Sequence, residues 1–500
     1  MGDAVQGADG PERSDGPEPG ADGQDTVAGA ATVDGAATAA GAATAAGAAT
    51  GLPRAETAEH RPGVVRHGRL RTRSPLGFAA RTLAIAAAVA VLGASSVAAI
   101  ASWQVVRTAK PPVSLAMPGT TAKPAPELTA QSGEVNMLLV ATDTRDGQGA
   151  GFDDAANRRA SSGVGNNDTT LLVHISADHT NMAVVSFPRD LVIPIPACTN
   201  DNGSVTPATD AAMLNTALSR GGEQHGLGCV AKTIEDLTGL QIPYAGMITF
   251  DGVVAMADAV GGVDVCLATP IVDDDVTPAL DLPAGVRELS GAQAAAFLRS
   301  RHGVGDASDL GRISNQQTFM SALARQSVSA GTLTNPARVL RLAETAAKHM
   351  TLSDTLADAT TLARMALAVQ NVGLSEMVFV QYPVVDDPTD PNRVVVADEA
   401  AAQLDAVLQA NEPVVLGSGS LGRSAVRDPS ASASPSASSS AAPTPTSTVA
   451  PGGGTTAGPT GSASAGTPGA TGTPTRTSSP LPDIVSGQSA DTVTCAKRDG

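Results

Sequence analysis

The chain has 500 residues, of which 52 are glycine and 34 are proline, and only 2% are aromatic. A formal net charge of −17 argues against a nucleic-acid-binding protein, which would present a concentrated basic face. The four cysteines form no CxxC or Cys/His cluster, which argues against a zinc site, and a mean hydropathy of +0.04 fits one membrane span rather than the many of a transporter.

The N-terminal part predicts a disordered region followed by one membrane span. Residues 1–77 are low in complexity and have little to bury, so we expect them to be disordered and cytoplasmic. After several arginines, the chain is uncharged from Thr82 to Val106, which exceeds the roughly 20 residues that cross a bilayer. We predict a transmembrane helix over 78–106, with a buried core helix as the alternative. The positive-inside rule then makes this a single-pass protein of the cell membrane, with everything after the span extracytoplasmic.

A Pro/Ala/Thr-rich tether over 107–133 leads to a segment in which strand and helix patterns alternate. This segment, 134–415, predicts one α/β domain, and the Ser/Ala/Pro/Thr/Gly-rich stretch 416–500 predicts a disordered tail. The β-branched runs that predict strands are Asn136–Thr142, Thr169–Ser176, Met182–Phe187, Tyr244–Phe250, Gly262–Leu267 and Met377–Tyr382. The runs that predict helices are Ala211–Arg220, Cys229–Leu240, Asp251–Val260, Gly291–Arg299, Gly311–Ser329, Pro336–His349, Ser353–Gln370 and Asp398–Gln409.

Charged side chains stand where the predicted strands begin or end. They are Asp143 and Arg145 after the first strand, Asp168 before the second, and Arg189 and Asp190 after the third. Open α/β sheets bind their ligands at the ends of strands. We therefore expect one ligand site to include these residues.

A second group of polar residues follows later in the chain. Arg299 and Arg301 are two residues apart and would point to the same side of an extended segment, while Arg312 and Gln316 share one face of a predicted helix. Several guanidinium groups brought together repel one another unless an anion lies between them, and phosphate suits the planar fork of arginine. The combination favours a phosphate site, although any one arginine could instead belong to a surface salt bridge.

Two carboxylates in this pattern are candidate ligands for Mg²⁺. Asp143 and Asp168 stand at the ends of neighbouring strands, and Mg²⁺ prefers one or two carboxylates together with phosphate and water; either residue could instead be a turn or capping residue. Asp190 could act as a base or as the ion-pair partner of Arg189, and His302 could carry a proton or make a structural hydrogen bond. A pyrophosphate held by Mg²⁺ and arginines would suit phosphoryl transfer.

Six segments of the domain resemble the LytR-CpsA-Psr (LCP) family in order and spacing, and they cover about 135–330. The predicted membrane span precedes them, as it does in the family. The segments are Asn136–Arg145, Asp168–Ser176, Val185–Pro196, Thr233–Gly239, Phe250–Cys266 and Leu282–Gln317.

This resemblance implies a three-layer α/β/α domain with a central mixed sheet and a polyprenyl pyrophosphate site. It also implies an Mg²⁺-dependent enzyme that moves a glycopolymer from an undecaprenyl pyrophosphate carrier onto cell-wall peptidoglycan, with an apolar tunnel for the lipid. Carried over by position, the metal ligands would be Asp143 and Asp168. The pyrophosphate contacts would be Arg145, Arg189, Arg299, Arg301, Arg312 and Gln316, with Arg189, Arg299, Arg301 and Asp190 as the catalytic set.

The chain departs from the family pattern at two positions. Asn166 and Asn315 stand where the family often has arginine. Two other functions therefore stay open: a non-catalytic binder of the lipid carrier that acts as a scaffold or regulator, and a polyprenyl pyrophosphatase in which water replaces the acceptor sugar.

The cysteines suggest disulfides, since the domain is predicted to lie outside the cytoplasm. Cys198 and Cys229 bracket an insertion rich in Asn, Gly and Asp and are predicted to pair, with a buried pair of free thiols as the alternative. Cys266 and Cys495 could pair with each other and pin the tail to the domain, but sequence does not determine connectivity.

Overall fold

The computed structural model describes residues 76, 79–86, 107, 109–116, 124–129, 131–144, 163–329, 336–428 and 479–498. The predicted disordered region 1–77 lies outside these residues except for residue 76. The predicted transmembrane helix 78–106 also lies outside them except for 79–86, which are helical. None of the helices in the described part of the chain combines the length and apolarity needed to cross a bilayer.

Nineteen strands and seven α-helices lie within the described residues. The strands are β1 Val135–Thr142, β2 Asn167–Ile175, β3 Met182–Phe187, β4 Val192–Ile195, β5 Cys198–Thr199, β6 Val205–Thr206, β7 Thr209–Met213, β8 Tyr244–Ile248, β9 Val263–Leu267, β10 Ile271–Asp273, β11 Leu280–Leu282, β12 Gly285–Leu289, β13 Met350–Leu352, β14 Met377–Gln381, β15 Val384–Asp386, β16 Val394–Val396, β17 Ala425–Arg427, β18 Gly487–Ser489 and β19 Thr494–Ala496. The helices are α1 Ala217–Thr238, α2 Phe250–Val260, α3 Gly291–Arg299, α4 Asp309–Ser329, α5 Pro336–His349, α6 Ala359–Asn371 and α7 Asp398–Gln409.

The main sheet has seven strands in the order β13-β8-β1-β2-β3-β14-β18. It is mixed, as expected, because β1 pairs in parallel with β8 and β3 with β14, whereas the other pairs are antiparallel. Since β2 runs opposite to β1 and β3, its first residues lie beside the last residues of those two strands. Three chain segments predicted to carry charged side chains therefore meet at one end of the central strands.

Both faces of the main sheet are covered, which explains why its central strands are largely apolar on both sides. All six residues of β3 are buried. Val185 packs on one face with Leu218 of α1 and Leu404 of α7, whereas Val184 packs on the other with Met365 of α6. The result is the three-layer α/β/α arrangement that was expected.

A second, four-stranded sheet in the order β12-β9-β19-β17 has its own apolar core. Phe297 of α3 and Phe319 of α4 both lie in that core, together with Val265 of β9. Helix α4 thus packs against both the second core and the main sheet. Its first turn lies near the ends of β1 and β3.

Two predicted helices differ from the structure. Residues 211–213 of the predicted helix Ala211–Arg220 belong to β7, because they pair with β4, and helix α1 begins only at Ala217. It continues to Thr238 through a kink at Gly222, where φ is +73° and the Asp201 carboxylate accepts hydrogen bonds from the backbone N–H groups of Glu223 and Gln224. The predicted helix Ser353–Gln370 also starts later, at Ala359.

The predicted disorder of 416–500 is wrong for its two described parts. Residues up to Asp428 include β17, and 479–498 include β18 at the edge of the main sheet and β19 inside the second sheet. Backbone pairing with distant strands orders these short polar segments despite their composition. Part of the predicted tether also belongs to the domain, since Val113 bridges to Ser353 and Leu128 is buried.

Both possible disulfides are present. Cys198 is bonded to Cys229, as predicted, with Cα atoms 5.7 Å apart, and Cys266 is bonded to Cys495 with Cα atoms 4.4 Å apart. The second bond resolves the connectivity that the sequence left open, and it fixes β19 beside β9.

We expect the double variant Cys198→Ala/Cys229→Ala to lose about 3–4 kcal/mol of unfolding free energy, because an unfolded chain without the bond has more conformational freedom. Urea unfolding of the oxidised proteins measures the difference. A loss below about 1 kcal/mol would contradict this expectation.

Candidate functional site

A cluster of charged side chains lies at one end of the central strands of the main sheet, where β1 ends, β2 begins and β3 ends. The backbone turn after β3 supplies Arg189 and Asp190, the start of β2 supplies Asp168, and the first turn of α4 supplies Asp309 and Arg312. Arg301 joins them from the loop between α3 and α4. We call these six residues, Asp168, Arg189, Asp190, Arg301, Asp309 and Arg312, the charged cluster.

Asp309 holds the charged cluster together. Its Oδ1 lies 2.7 Å from Arg312 Nη2, 3.3 Å from Arg301 Nη2 and 3.8 Å from Arg189 Nε. Its Oδ2 accepts a hydrogen bond of 3.3 Å from the backbone N–H of Arg189. The side chain is only 8% exposed, so one carboxylate contacts three guanidinium groups away from bulk water. The sequence interpretation assigned no role to Asp309, although its position three residues before Arg312 places both on one helix face.

Asp168 provides the second contact between the strands and helix α4. Arg189 Nη1 donates a hydrogen bond of 2.7 Å to Asp168 Oδ1, and Arg312 Nη2 donates one of 2.7 Å to the Asp168 backbone oxygen. Burial alone would raise the pKa of Asp168, but the charges of Arg312 and Arg189 outweigh it, so the pKa lies below its ordinary value. Asp168 is therefore a firmly ionised carboxylate.

Asp190 has the opposite electrostatic character. Its Oδ1 lies 3.4 Å from Arg189 Nε, which fits the predicted role of ion-pair partner. Burial, together with the nearby charge of Asp309, raises the pKa of Asp190 above its ordinary value. Two carboxylates beside Arg189 thus differ in proton affinity, because Asp168 has a lowered pKa and Asp190 a raised one.

The arginines keep donors that the protein does not use. The Nε groups of Arg189 and Arg312 are buried and have no hydrogen-bond acceptor among the residues that the structure describes, and the contact of Arg189 Nε with Asp190 is an ion pair without hydrogen-bond geometry. Burial, and the like charge of Arg312, lower the pKa of Arg301. The Arg189 and Arg301 side chains are 24% and 26% exposed, so an anion with several oxygens can reach their guanidinium groups.

The remaining predicted contacts lie in different surroundings. Gln316 is one turn after Arg312, and its Nε2 donates 2.9 Å to the Leu298 backbone oxygen and 3.4 Å to Thr169 Oγ1. Arg299 does not lie on an extended segment as expected: it ends α3, and its guanidinium stacks 4.1 Å over the ring of Phe250. Arg145 lies outside the described residues. His302 Nδ1 lies 2.8 Å from Asp275 Oδ2 and is largely exposed.

Asp143, the other predicted metal ligand, lies at the end of β1. Its Oδ1 accepts a hydrogen bond of 2.7 Å from the backbone N–H of Asn166, and Gly165 leaves room for the carboxylate, because a Cβ at Gly165 would stand 2.6 Å from Oδ1. Asp143 and Asp168 therefore present carboxylate oxygens at the same sheet edge, a donor set that fits Mg²⁺. At Asp168 the ion would share the carboxylate with Arg189.

The two departures from the family pattern have different surroundings. Asn315 is fully buried, and its Nδ2 donates 2.8 Å to the Phe297 backbone oxygen, so this side chain joins α4 to α3. Asn166 binds Asp143 through its backbone. The asparagine at 315 thus has a packing role of its own.

An aromatic pair lies directly behind the turn that carries Arg189. The Tyr382 ring stacks on Phe187 with ring centres 4.8 Å apart, and its hydroxyl donates 3.0 Å to Asp405 Oδ2 on α7. Burial raises the pKa of Asp405 to about 7, and the hydrogen bond from Tyr382 only partly opposes this. Asp405 therefore holds a proton in the folded protein at pH values where the unfolded chain has lost it.

A groove of about 620 Å³ lies away from the charged cluster, between β18 and residues 413–418. No residue of the charged cluster lines this groove.

Comparisons with known proteins place the chain in a family. The model of the LytR_cpsA_psr family matches residues 108–410. Two relatives from Corynebacterium glutamicum are similar: a probable cell wall biosynthesis protein LcpB, 31% identical over 286 residues, and the cell wall biosynthesis protein LcpA, 29% identical over 270 residues. The matches cover 56% and 51% of this chain, and they span only 62% and 51% of the two relatives.

A more distant relative and two solved structures are also similar. The polyisoprenyl-teichoic acid–peptidoglycan teichoic acid transferase TagV of Bacillus subtilis is 28% identical over 191 residues, which is 37% of this chain and 44% of that protein. A LytR-Csp2A-Psr enzyme from Actinomyces oris covers 58% of this chain and 96% of its own, at 20% identity and a TM-score of 0.40. TagT bound to LI-WTA covers 60% and 98%, at 18% identity and a TM-score of 0.43.

We expect Asp309→Asn to lower the unfolding free energy by about 3 kcal/mol, because Arg312, only 4% exposed, loses its carboxylate at 2.7 Å. Asp236→Asn is the matched control: it breaks the exposed ion pair with Lys232, which contributes at most about 1 kcal/mol. Urea unfolding at one pH compares the two variants. If the two variants lose the same unfolding free energy, Asp309 does not stabilise the arginines of the charged cluster.

Asp405→Asn tests the pH dependence. The folded carboxyl has a pKa of about 7 and the unfolded one a pKa of about 4, so the contribution of Asp405 to wild-type stability falls as the pH rises from 4 to 7. The variant keeps an acceptor for Tyr382 but does not titrate, so it should gain stability relative to the wild type between pH 5 and pH 8. Urea unfolding at these two pH values measures the difference in unfolding free energy between the variant and the wild type. The same difference at both pH values would contradict this prediction.

Proposed function

Because the chain belongs to the LytR_cpsA_psr family, we propose that it transfers a glycopolymer from a polyprenyl pyrophosphate carrier onto cell-wall peptidoglycan by phosphoryl transfer. The observation that carries this proposal is the convergence of three arginines on Asp309 at the sheet edge, with unused buried N–H donors on two of them. The similar proteins support this class of reaction, since two are cell wall biosynthesis proteins, one of them probable, and one is a transferase of teichoic acid to peptidoglycan.

Positioning and charge stabilisation would supply most of the catalysis. Phosphoryl transfer involves little covalent chemistry for the protein, so preformed donors aimed at the phosphate oxygens lower the barrier. Arg189, Arg301 and Arg312 are held by carboxylates before any ligand binds, so little reorganisation is needed when charge develops. Arg145, Arg299 and Gln316 are the further pyrophosphate contacts that we propose.

The bond changes follow from the donor and the acceptor. A hydroxyl of peptidoglycan attacks the phosphorus that bears the glycopolymer, a new P–O bond forms, and the bond from that phosphorus to the bridging oxygen breaks. Polyprenyl phosphate leaves with the bridging oxygen and its electron pair. The hydroxyl proton needs an acceptor, and Asp190 is the candidate, because its raised pKa makes it more basic than Asp168, whose pKa is lowered.

We propose Mg²⁺ as the cofactor, held by Asp143 and Asp168. The bound ion would offset the negative charge of the pyrophosphate. The three guanidinium groups of the charged cluster already face three carboxylates, Asp168, Asp190 and Asp309, so the cluster has little net charge of its own. A pyrophosphate and a divalent cation that enter together would preserve that balance.

We also propose that the protein is a single-pass protein of the cell membrane, with a cytoplasmic N-terminus and the domain outside. The uncharged stretch from Thr82 to Val106 after a run of arginines supports this. Two disulfides in the domain agree with an oxidising compartment.

The non-catalytic alternative loses one of its two supports. It took Asn166 and Asn315 as marks of lost chemistry, but Asn315 is buried and binds the Phe297 carbonyl. The three proposed pyrophosphate contacts on α4 and the turn after β3 are all present as arginine or glutamine.

An assay with the full chain, Mg²⁺, a polyprenyl-pyrophosphate-linked sugar and a peptidoglycan acceptor separates the three functions. Sugar linked to the wall indicates transfer, free phosphosugar indicates hydrolysis, and binding without turnover indicates a scaffold. We expect transfer, and either of the other two results would overturn the proposal.

Within that assay, Arg301→Ala should lower transfer at least about 100-fold, because one donor to the developing charge is lost. Lys232→Ala, which breaks the exposed ion pair with Asp236 on α1, is the matched control and should leave transfer unchanged. Asp143→Ala should also abolish transfer. If Arg301→Ala and Asp143→Ala both keep full activity, the charged cluster and the Asp143 edge are not the site.

A further inference from the structure

The loop between α3 and α4 carries Arg301 and leads directly to Asp309. Val304 packs in the second core, and Asp273 Oδ2 accepts hydrogen bonds from Ser300 Oγ and the Gly303 backbone N–H, so other elements already hold the first part of the loop. Arg301 stands at its beginning, and Asp309 follows it as the first residue of α4. Two of its residues have left-handed backbone, Gly305 with φ of +50° and Ala307 with φ of +63°. A loop with this conformation needs contacts from outside to keep Arg301 and Asp309 3.3 Å apart.

The C-terminal segment 479–498 supplies such a contact. Directly after β19, the Lys497 backbone oxygen accepts a hydrogen bond of 2.9 Å from the backbone N–H of Gly305, and Gly305 forms a parallel bridge with Arg498. The backbone N–H of Arg498 donates in turn to Thr269 Oγ1 at 2.8 Å. The loop is thus extended onto the second sheet through residues 497 and 498.

The strand before this contact is fixed from both sides. β19 pairs in parallel with β9 and antiparallel with β17, and Cys495 is bonded to Cys266 within the same register. Ala496 lies in the core of the second sheet. The position of Lys497 therefore follows from a buried and covalently fixed strand.

A second contact reaches the start of α4 from beside β17. Ser424, which is fully buried, donates a hydrogen bond of 2.7 Å to the Gly311 backbone oxygen, and its backbone oxygen accepts one of 2.8 Å from Lys497. Farther along α4, Arg325 Nη1 donates to the backbone oxygens of Ala490 and Thr492, both at 2.9 Å. The C-terminal segment is therefore tied to α4 at both ends of the helix.

We propose that the C-terminal segment positions the Arg301–Asp309 loop, with the Cys266–Cys495 bond as its anchor, so that residues more than 180 positions away in sequence set the geometry of the charged cluster. Residues 494–498 are positioning residues in this proposal. Their effect on catalysis rests on the proposed function, whereas their effect on the loop does not.

The test compares two double variants of the full chain that each lack one disulfide. Cys266→Ala/Cys495→Ala removes the anchor of β19, and Cys198→Ala/Cys229→Ala is the matched control, since that bond joins the strand after β4 to α1. Hydrogen exchange of the backbone N–H of Gly305 reports on the loop directly. Exchange within β2, which lies in the main sheet, reports on the fold as a whole.

We expect exchange at Gly305 to accelerate about tenfold or more in the anchor variant and to stay at the wild-type rate in the control, with β2 protected in both. In the transfer assay, kcat should fall about tenfold in the anchor variant only. Unchanged exchange at Gly305 in the anchor variant, or an equal rise in the control, would overturn the proposal. If the wild-type protein shows no transfer, the proposed function is overturned. Hydrogen exchange at Gly305 would then be the only test of whether the C-terminal segment positions the loop.

Arg325→Gln provides a second variant in case the anchor variant does not fold. It removes the two hydrogen bonds to the C-terminal segment and leaves both disulfides and the charged cluster intact. Exchange at Gly305 should again accelerate, by a smaller factor. A rate at Gly305 equal to that of the wild type, with faster exchange at residues 490–492, would show that the loop does not depend on the segment.

Discussion

The candidate site depends on one buried carboxylate. Asp309 lies within 4 Å of three guanidinium groups, and without it these like charges would repel one another in surroundings that screen poorly. Its place at the first turn of α4 also explains why the helix starts where it does relative to the sheet. Three pieces of chain that are far apart in sequence, the start of β2, the turn after β3 and the loop before α4, are joined by ion pairs to this residue or to Asp168.

This arrangement differs from what a count of arginines suggests. The sequence interpretation expected guanidinium groups that need an external anion to coexist, whereas Asp168, Asp190 and Asp309 already compensate them. The cluster is therefore stable and preformed without a ligand, and a phosphate would bind through donors that the carboxylates leave over. Under the proposed function, a phosphate would be held by geometry and hydrogen bonds more than by net positive charge.

The sequence predicted the central strands well because burial on both faces favours nearly continuous apolar runs, as in Met182–Phe187. It also predicted the sheet edge that holds Asp168 and Arg189. The sequence prediction failed where pairing with distant residues decides the structure. Residues 211–213 resemble a helix but belong to β7, which pairs with β4. Residues 487–489 and 494–496 are too short and polar to be recognised as strands. Asp309 was detectable from its spacing to Arg312, but a lone carboxylate at a helix start is most simply explained as a capping residue.

The insertion of β19 between β9 and β17 has a consequence for how the domain is made. A strand that sits inside a sheet, bonded to a cysteine 229 residues before it, pairs with that sheet only once the whole intervening chain is available. Before that step the main sheet lacks only its edge strand β18, so an early intermediate would have most of its hydrophobic core but an open second sheet. Late closure of the second sheet is thus the step that completes the neighbourhood of Arg301.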